Sequence, residues 1–242
     1  MNKIIVVFAL CAAFGSCKKQ EGEGGKASIA GKVYESQYDH NGKLINRAAA
    51  ADKKVYIVYG DNAVFDNETR TFIDGAYLFN YLREGNYSIY AFSDCNTCPS
   101  GTLSKLVDVE ITGKKEKIAA ADLETVKYVD VNDGAGIIKG KVYAKNYEPT
   151  GFLTGQYYIG DEKVYLVYDT DSSYYIDTRT NFNGSYQFNN LIPGNYKVYA
   201  YSKCDQKDNS TTYASCQVSV EKTTQLSSWA QEVQLTDIII YQ

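Results

Sequence analysis

Two hydrophobic rhythms run along this chain. Residues 4–14 form a continuous stretch of apolar and small residues, whereas from Ser28 onward apolar and polar positions alternate in short runs. Successive side chains on a strand point to opposite faces, so period-two alternation predicts half-buried strands. The runs fall at 28–34, 54–59, 71–73, 76–80, 86–92, 106–111 and 124–131, and again at 137–143, 163–168, 179–182, 185–189, 195–201, 216–220 and 233–241. Gly, Asn, Asp or Pro bounds most of them. Asp74-Gly75 and Asn183-Gly184 are strong hairpin signals, because a type I′ turn needs positive φ at both central residues. No helical period intervenes. About seven short strands in about 100 residues predict a β-sandwich.

The second set of runs repeats the first. Residues 29–95 and 138–204 align without a gap at an offset of 109, with 29 identities in 67 positions. A repeat of that length is a whole domain rather than a solenoid unit. The expected organisation is therefore a signal segment at 1–16, a flexible tether at 17–27, a first sandwich at 28–131, a linker at 132–136 and a second sandwich at 137–242. The fold class expected is all-β, with two tandem seven-stranded, Ig-like β-sandwiches. The stretches 34–54 and 143–163 are the longest between strands and are where the two copies diverge most. Binding residues concentrate on such loops, and the second carries Phe152, Tyr157 and Tyr158 as candidate contacts.

The N-terminal apolar run is shorter than the roughly 20 residues a spanning helix requires. Lys3 precedes it and Gly15-Ser16-Cys17 follows it. Small residues before a cysteine predict a bacterial lipobox with Cys17 as the acylated new N-terminus, although Phe14 replaces the usual aliphatic residue. The segment after Cys17, Lys18 to Lys26, is glycine-rich and charged, as expected of a tether. Its basic-then-acidic order resembles the export signals of Bacteroidota surface lipoproteins. The expected location is the outer membrane, lipid-anchored and facing the cell exterior, with the periplasmic face as the alternative.

Composition narrows the chemistry. The formal net charge is −4 with no basic stripe, which argues against nucleic-acid binding. Cys95, Cys98, Cys204 and Cys216 remain after the signal, an even count that predicts disulfides in an exported chain. Cys204 to Cys216 would close the polar loop between them. Cys95-Asn96-Thr97-Cys98 follows a strand with no helix after it, so a structural bridge is expected rather than redox or metal chemistry. The single His40 sits in a turn-like segment and offers no acyl-transfer triad. Glu68 with Asp177, and Asp52 with Asp161, read as solvated loop carboxylates rather than a glycosidase pair. Oxygen-rich loops around Asp61, Asp66, Asn67 and Glu68, at Asp169 and Asp171, and at 130–134 leave Ca²⁺ as a weak secondary expectation, without EF-hand spacing. No cofactor or catalytic residue is expected. Tyrosine is the compositional outlier, with 23 copies. Most are expected to be structural, with rings inward and hydroxyls at the rim.

Each glycine turn, the strand after it and the next strand together carry Gly75, Tyr77, Phe79, Leu82, Gly85 and Tyr87, and then Gly184, Tyr186, Phe188, Leu191, Gly194 and Tyr196. This pattern resembles the carboxypeptidase-regulatory-like, prealbumin-like sandwich, a relative of Cna-B domains. The resemblance implies the fold and is nearly silent on function. Cna-B relatives form Lys–Asn isopeptide bonds beside a buried acid, but the sequence does not match an acid and Asn to the equivalent strand lysines Lys32 and Lys141, which read as edge-strand lysines. The function expected is a non-catalytic binding or adhesion module for a glycan or protein. The alternative is a spacer subunit of an envelope complex.

Overall fold

The computed structural model describes residues 20–148, 150–204 and 216–242. The signal segment, Cys17 and the loop between Cys204 and Cys216 lie outside the described residues. Among those described there is no helix. Each copy holds nine strands. In the first these are β1 (Glu23–Tyr38), β2 (Leu44–Ala49), β3 (Lys54–Tyr59), β4 (Asn67–Arg70), β5 (Ala76–Leu82), β6 (Gly85–Asp94), β7 (Thr102–Ile111), β8 (Lys117–Ala119) and β9 (Leu123–Tyr128). The second repeats them as β10 (Gly136–Tyr147), β11 (Leu153–Tyr158), β12 (Lys163–Tyr168), β13 (Ile176–Arg179), β14 (Ser185–Leu191), β15 (Gly194–Lys203), β16 (Gln217–Leu226), β17 (Glu232–Gln234) and β18 (Ile238–Tyr241).

One sheet of the first copy runs β2-β1-β5, with β8 and β9 also pairing β1, and the other runs β4-β3-β6-β7. The second copy reproduces both, as β11-β10-β14 with β17 and β18 on β10, and β13-β12-β15-β16. Inward residues of both sheets make each core. Ile29, Val33, Val55, Ile57, Tyr77, Phe79 and Ile89 fill the first, and Ile138, Val142, Val164, Leu166, Tyr186, Phe188 and Val198 the second. The chain is thus two tandem β-sandwiches. Tyr87 Oη donates to Arg83 O at 2.8 Å and Tyr196 Oη to Ile192 O at 2.7 Å. Each closes a corner between consecutive strands, as the tyrosine of an Ig-type sandwich does.

Several local expectations change. Residues 71–75 are a turn, and the strand expected at 71–73 sits earlier as β4. The glycine-rich tether expected to 27 becomes strand from Glu23. Glycine is needed there for close approach, since a Cβ on Gly25 would lie 1.8 Å from Leu82 O, and on the equivalent Gly134 it would lie 2.0 Å from Leu191 O. The stretches expected to be loops at 34–54 and 143–163 are hairpins made by β1 with β2 and β10 with β11. Lys32 and Lys141 are not on edge strands, because β1 and β10 are central.

By spatial contact the chain divides into two units. Among described residues, the first comprises 20–35 with Ala48–Thr125, and the second comprises Ser36–Arg47 with Val126–Gln242. The tip of the first repeat's hairpin therefore belongs to the second unit, where Ile45 packs against the core.

Candidate functional site

Strand alternation places Val55 and Ile57 inward and Tyr56 outward on β3, and Ile89 and Ala91 inward with Tyr90 and Phe92 outward on β6. Antiparallel register sets Tyr56 directly opposite Tyr90. Their rings stack with centroids 5.1 Å apart and planes 18° from parallel. Phe92 meets both edge-on at 5.6 Å. Phe65, from the turn between β3 and β4, meets Tyr56 edge-on at 4.9 Å. Four rings thus form one aromatic platform on the outer face of the sheet.

The second unit rebuilds this platform at the same offset of 109. Tyr165 stacks on Tyr199 at 4.9 Å and 13°, Tyr201 meets them at 5.5 Å each, and Tyr174 meets Tyr165 at 5.0 Å. Cross-strand ring pairs stabilise a sheet by roughly 0.5–1.5 kcal/mol beyond burial, which accounts for the stacked pairs. It does not account for Phe65 and Tyr174, which are not strand residues. Their turns share no residue at equivalent positions, Gly60-Asp61-Asn62-Ala63-Val64 against Asp169-Thr170-Asp171-Ser172-Ser173, yet both deliver a ring to the same place. The four outermost rings, Phe65, Phe92, Tyr174 and Tyr201, stay 43–46% exposed.

Charges border each platform in pairs. Glu68 lies across from Tyr56 and accepts Lys54 Nζ at 2.8 Å, and Asp177 lies across from Tyr165 and accepts Lys163 Nζ at 3.3 Å. Glu68 and Asp177 are therefore strand residues, not loop carboxylates. Lys163 Nζ is also 5.6 Å from the Tyr165 ring centroid. The far edges differ, with Leu106 beside Tyr90 and Glu221 beside Tyr199. Burial, and then the Tyr56 charge, raise the Tyr90 phenol, and burial followed by the hydrogen bond with Tyr201 pushes Tyr199 up to about 12. Both hydroxyls stay neutral at physiological pH.

The sequence candidates Phe152, Tyr157 and Tyr158 do not form one surface. Phe152 is exposed at the hairpin turn, and Tyr157 and Tyr158, adjacent on β11, face opposite sides of the sheet. Tyr158 Oη donates to Asp237 at 3.0 Å and its ring carries Lys141 Nζ at 4.5 Å.

The other candidate hairpin is engaged within the second unit. Asp39 is buried; its Oδ1 accepts Asn41 N at 3.0 Å and Lys43 N at 2.8 Å, and its Oδ2 accepts Tyr168 Oη at 2.7 Å. His40 Nε2 lies 3.1 Å from Asp171 Oδ1, Asn41 Nδ2 donates to the same oxygen at 3.1 Å, and Lys43 Nζ reaches Asp169 Oδ2 at 2.8 Å. The Asp169 and Asp171 carboxylates weighed for Ca²⁺ thus bind side chains of the chain itself. Among the described residues no group of three His, Cys, Asp or Glu side chains gathers to hold a metal ion. Cys95 is bridged to Cys98 and Cys204 to Cys216, with Cα atoms 5.4 and 5.5 Å apart.

Neither a family model nor a curated protein matches the chain. Solved structures give distant likenesses. A candidate carbohydrate-binding protein of Pseudomonas aeruginosa is 18% identical at a TM-score of 0.27, over 43% of this chain and 90% of that one. The minor pilin GBS52 of Streptococcus agalactiae is 12% identical at 0.28, over 88% and 95%. The TIE protein of Bacillus anthracis is 13% identical at 0.28, over 88% of this chain and 34% of that one. At such scores these likenesses carry no argument about what the chain does.

Proposed function

We propose that this protein is a lipid-anchored, surface-facing, non-catalytic binding module whose two aromatic platforms are its contact surfaces for a glycan or protein. The recurrence of four outward rings in both sandwiches, one delivered by an otherwise divergent turn, carries the reading. Tyrosine rings locked by one another offer large contact area at low entropy cost on binding, and their hydroxyls supply directed hydrogen bonds. The lipobox at Cys17 supports the anchor and the export-type residues after it support the surface location. Metabolic labelling with a palmitate analogue tests the anchor: wild type incorporates label and Cys17→Ala does not. Protease shaving of intact cells tests the orientation, with loss of the second sandwich before lysis expected. Array screening of wild type against a variant with Phe65, Phe92, Tyr174 and Tyr201 all changed to Ser tests the surface. Retention of every ligand by that variant would remove the platforms from the function.

A further inference from the structure

We propose that the two platforms take the same sugar unit and together grip one uncharged linear polysaccharide at two points along its length. The inference rests on the platforms being binding surfaces and goes further in naming the ligand. Sugar rings present C–H faces to the electron-rich faces of aromatic rings and hydroxyls at their edges. Strand charges beside the rings pair with one another: Lys54 with Glu68, Lys163 with Asp177 and, at 3.6 Å, Lys197 with Glu221. Asp94 and Asp108 also border the first platform, and Lys203, at the position equivalent to Asp94, borders the second. The arginines beyond them pair likewise, Arg70 with Asp52 at 3.0 Å and Arg179 with Asp161 at 3.1 Å. The bordering charges at Asp94, Asp108 and Lys203 are acidic at the first platform and basic at the second, so no charged polymer suits both rims and the ligand complementary to both is neutral.

The duplication supplies the second half. Ring separations agree between copies to 0.2 Å or better: 5.1 against 4.9 Å for the stacked pair, 4.9 against 5.0 Å for the turn ring, and 5.6 against 5.5 Å for the third strand ring. The hairpins and turns of the copies meanwhile diverge. Two copies of one recognition geometry on one chain suit a ligand that repeats its own unit. For a polymer long enough to reach both platforms, binding at the second is intramolecular, which raises apparent affinity by up to about 10²–10⁴ without a new contact.

Affinity electrophoresis of the full chain in detergent tests this. Gels would contain hydroxyethyl cellulose, laminarin or galactomannan as neutral polymers, and alginate or polygalacturonate as anionic ones. Calorimetry with hexasaccharides of the same neutral polymers would run alongside. The single-platform variants are Phe65→Ser with Phe92→Ser, and Tyr174→Ser with Tyr201→Ser. Should either pair fail to fold, Phe92→Leu and Tyr201→Leu remove the ring while keeping apolar bulk. The expected result is retardation by a neutral polymer that weakens about tenfold or more when either platform is lost. Hexasaccharide binding should remain weak and similar at the surviving platform.

Polymer affinity unchanged by loss of one platform would overturn the two-point grip. If hexasaccharides still bound through the rings, the platforms would stand as binding surfaces. Preference for the anionic polymers would overturn the neutral class. Binding to no polysaccharide, combined with ring-dependent capture of a matrix protein, would overturn the sugar ligand and keep the platforms as a surface. Ring-independent behaviour throughout would sink both.

Discussion

Asp169 takes φ 45° at the position where the first copy has Gly60 at φ 56°. A left-handed backbone costs a side-chain-bearing residue about 1 kcal/mol, less for Asp than for most. In return its carboxylate meets Lys43, and that hydrogen bond, together with one from Asn195 and against some desolvation, holds its pKa below the usual range. Two variants separate these effects. Asp169→Gly loses an ion pair worth about 0.2–1 kcal/mol but relieves the backbone, so stability should change little. Asp169→Ala loses the pair and keeps the strain, and should fall below the Gly variant by about 1 kcal/mol. Trp229, the single tryptophan, packs on the second core and reports denaturant unfolding of that unit. Equal stability of the two variants would remove the strain argument. Asp39 is a harsher test. Asp39→Ala strands the buried Tyr168 hydroxyl and two hairpin amides, and should cost the second unit about 2–3 kcal/mol. The Trp229 transition should move to lower denaturant, and an unchanged midpoint would mean the hairpin is not built into that unit.

At the scale of elements, period-two alternation located most of the strands, because inward Val55, Ile57, Ile89 and their counterparts mark the buried face regardless of tertiary detail. It also contained the platforms. Tyr56, Tyr90 and Phe92 sit in the outward phase of those same runs, where polar residues would ordinarily stand, and that phase is aromatic again 109 residues later. Tyrosine content alone does not separate inward from outward rings, so composition hides the signal. Loop length points instead to 34–54 and 143–163, but those stretches pair as hairpins through backbone bonds that side-chain alternation does not reveal. Gly25 was illegible for a similar reason: glycine marks flexibility and close backbone approach with the same letter. The disulfides were legible from spacing, and they should differ in weight. The loop-entropy model assigns about 3 kcal/mol to Cys204–Cys216 and about 2 kcal/mol to Cys95–Cys98, because sequence separations of 12 and 3 close loops of unequal length. Cys204→Ser with Cys216→Ser should therefore lower its unit's denaturation midpoint more than Cys95→Ser with Cys98→Ser lowers that of the other. The reverse order would show that native packing rather than chain entropy dominates.

The tyrosine content gives the whole molecule a pH response of definite sign. Burial, reinforced by the Asp122 charge, pushes Tyr77 up to about 12, and burial together with the hydrogen bond to Asp130 does the same for Tyr175. Tyr186 and Tyr196 are raised further, mainly by burial, and Tyr168 by burial and its bond to Asp39. In the unfolded chain these phenols titrate near 10. Between about pH 10 and 12 the unfolded chain therefore releases protons that the folded chain keeps, and unfolding becomes more favourable as pH rises. Each group that differs by a full proton steepens the fall by about 1.4 kcal/mol per pH unit. Because both cores hold such rings, both units should respond together. Below about pH 9 the phenols are protonated in both states and contribute no slope. Thermal melts should show a melting temperature free of any tyrosine-driven slope from pH 7 to about 9 and then a steep drop, and the phenolate absorbance that Tyr77→Phe or Tyr186→Phe removes from the wild-type signal should appear at the unfolding step rather than ahead of it. If the phenolate signal removed by those substitutions appeared gradually near pH 10 in protein that is still folded, these rings would be reached by solvent and the cores would not be packed as described.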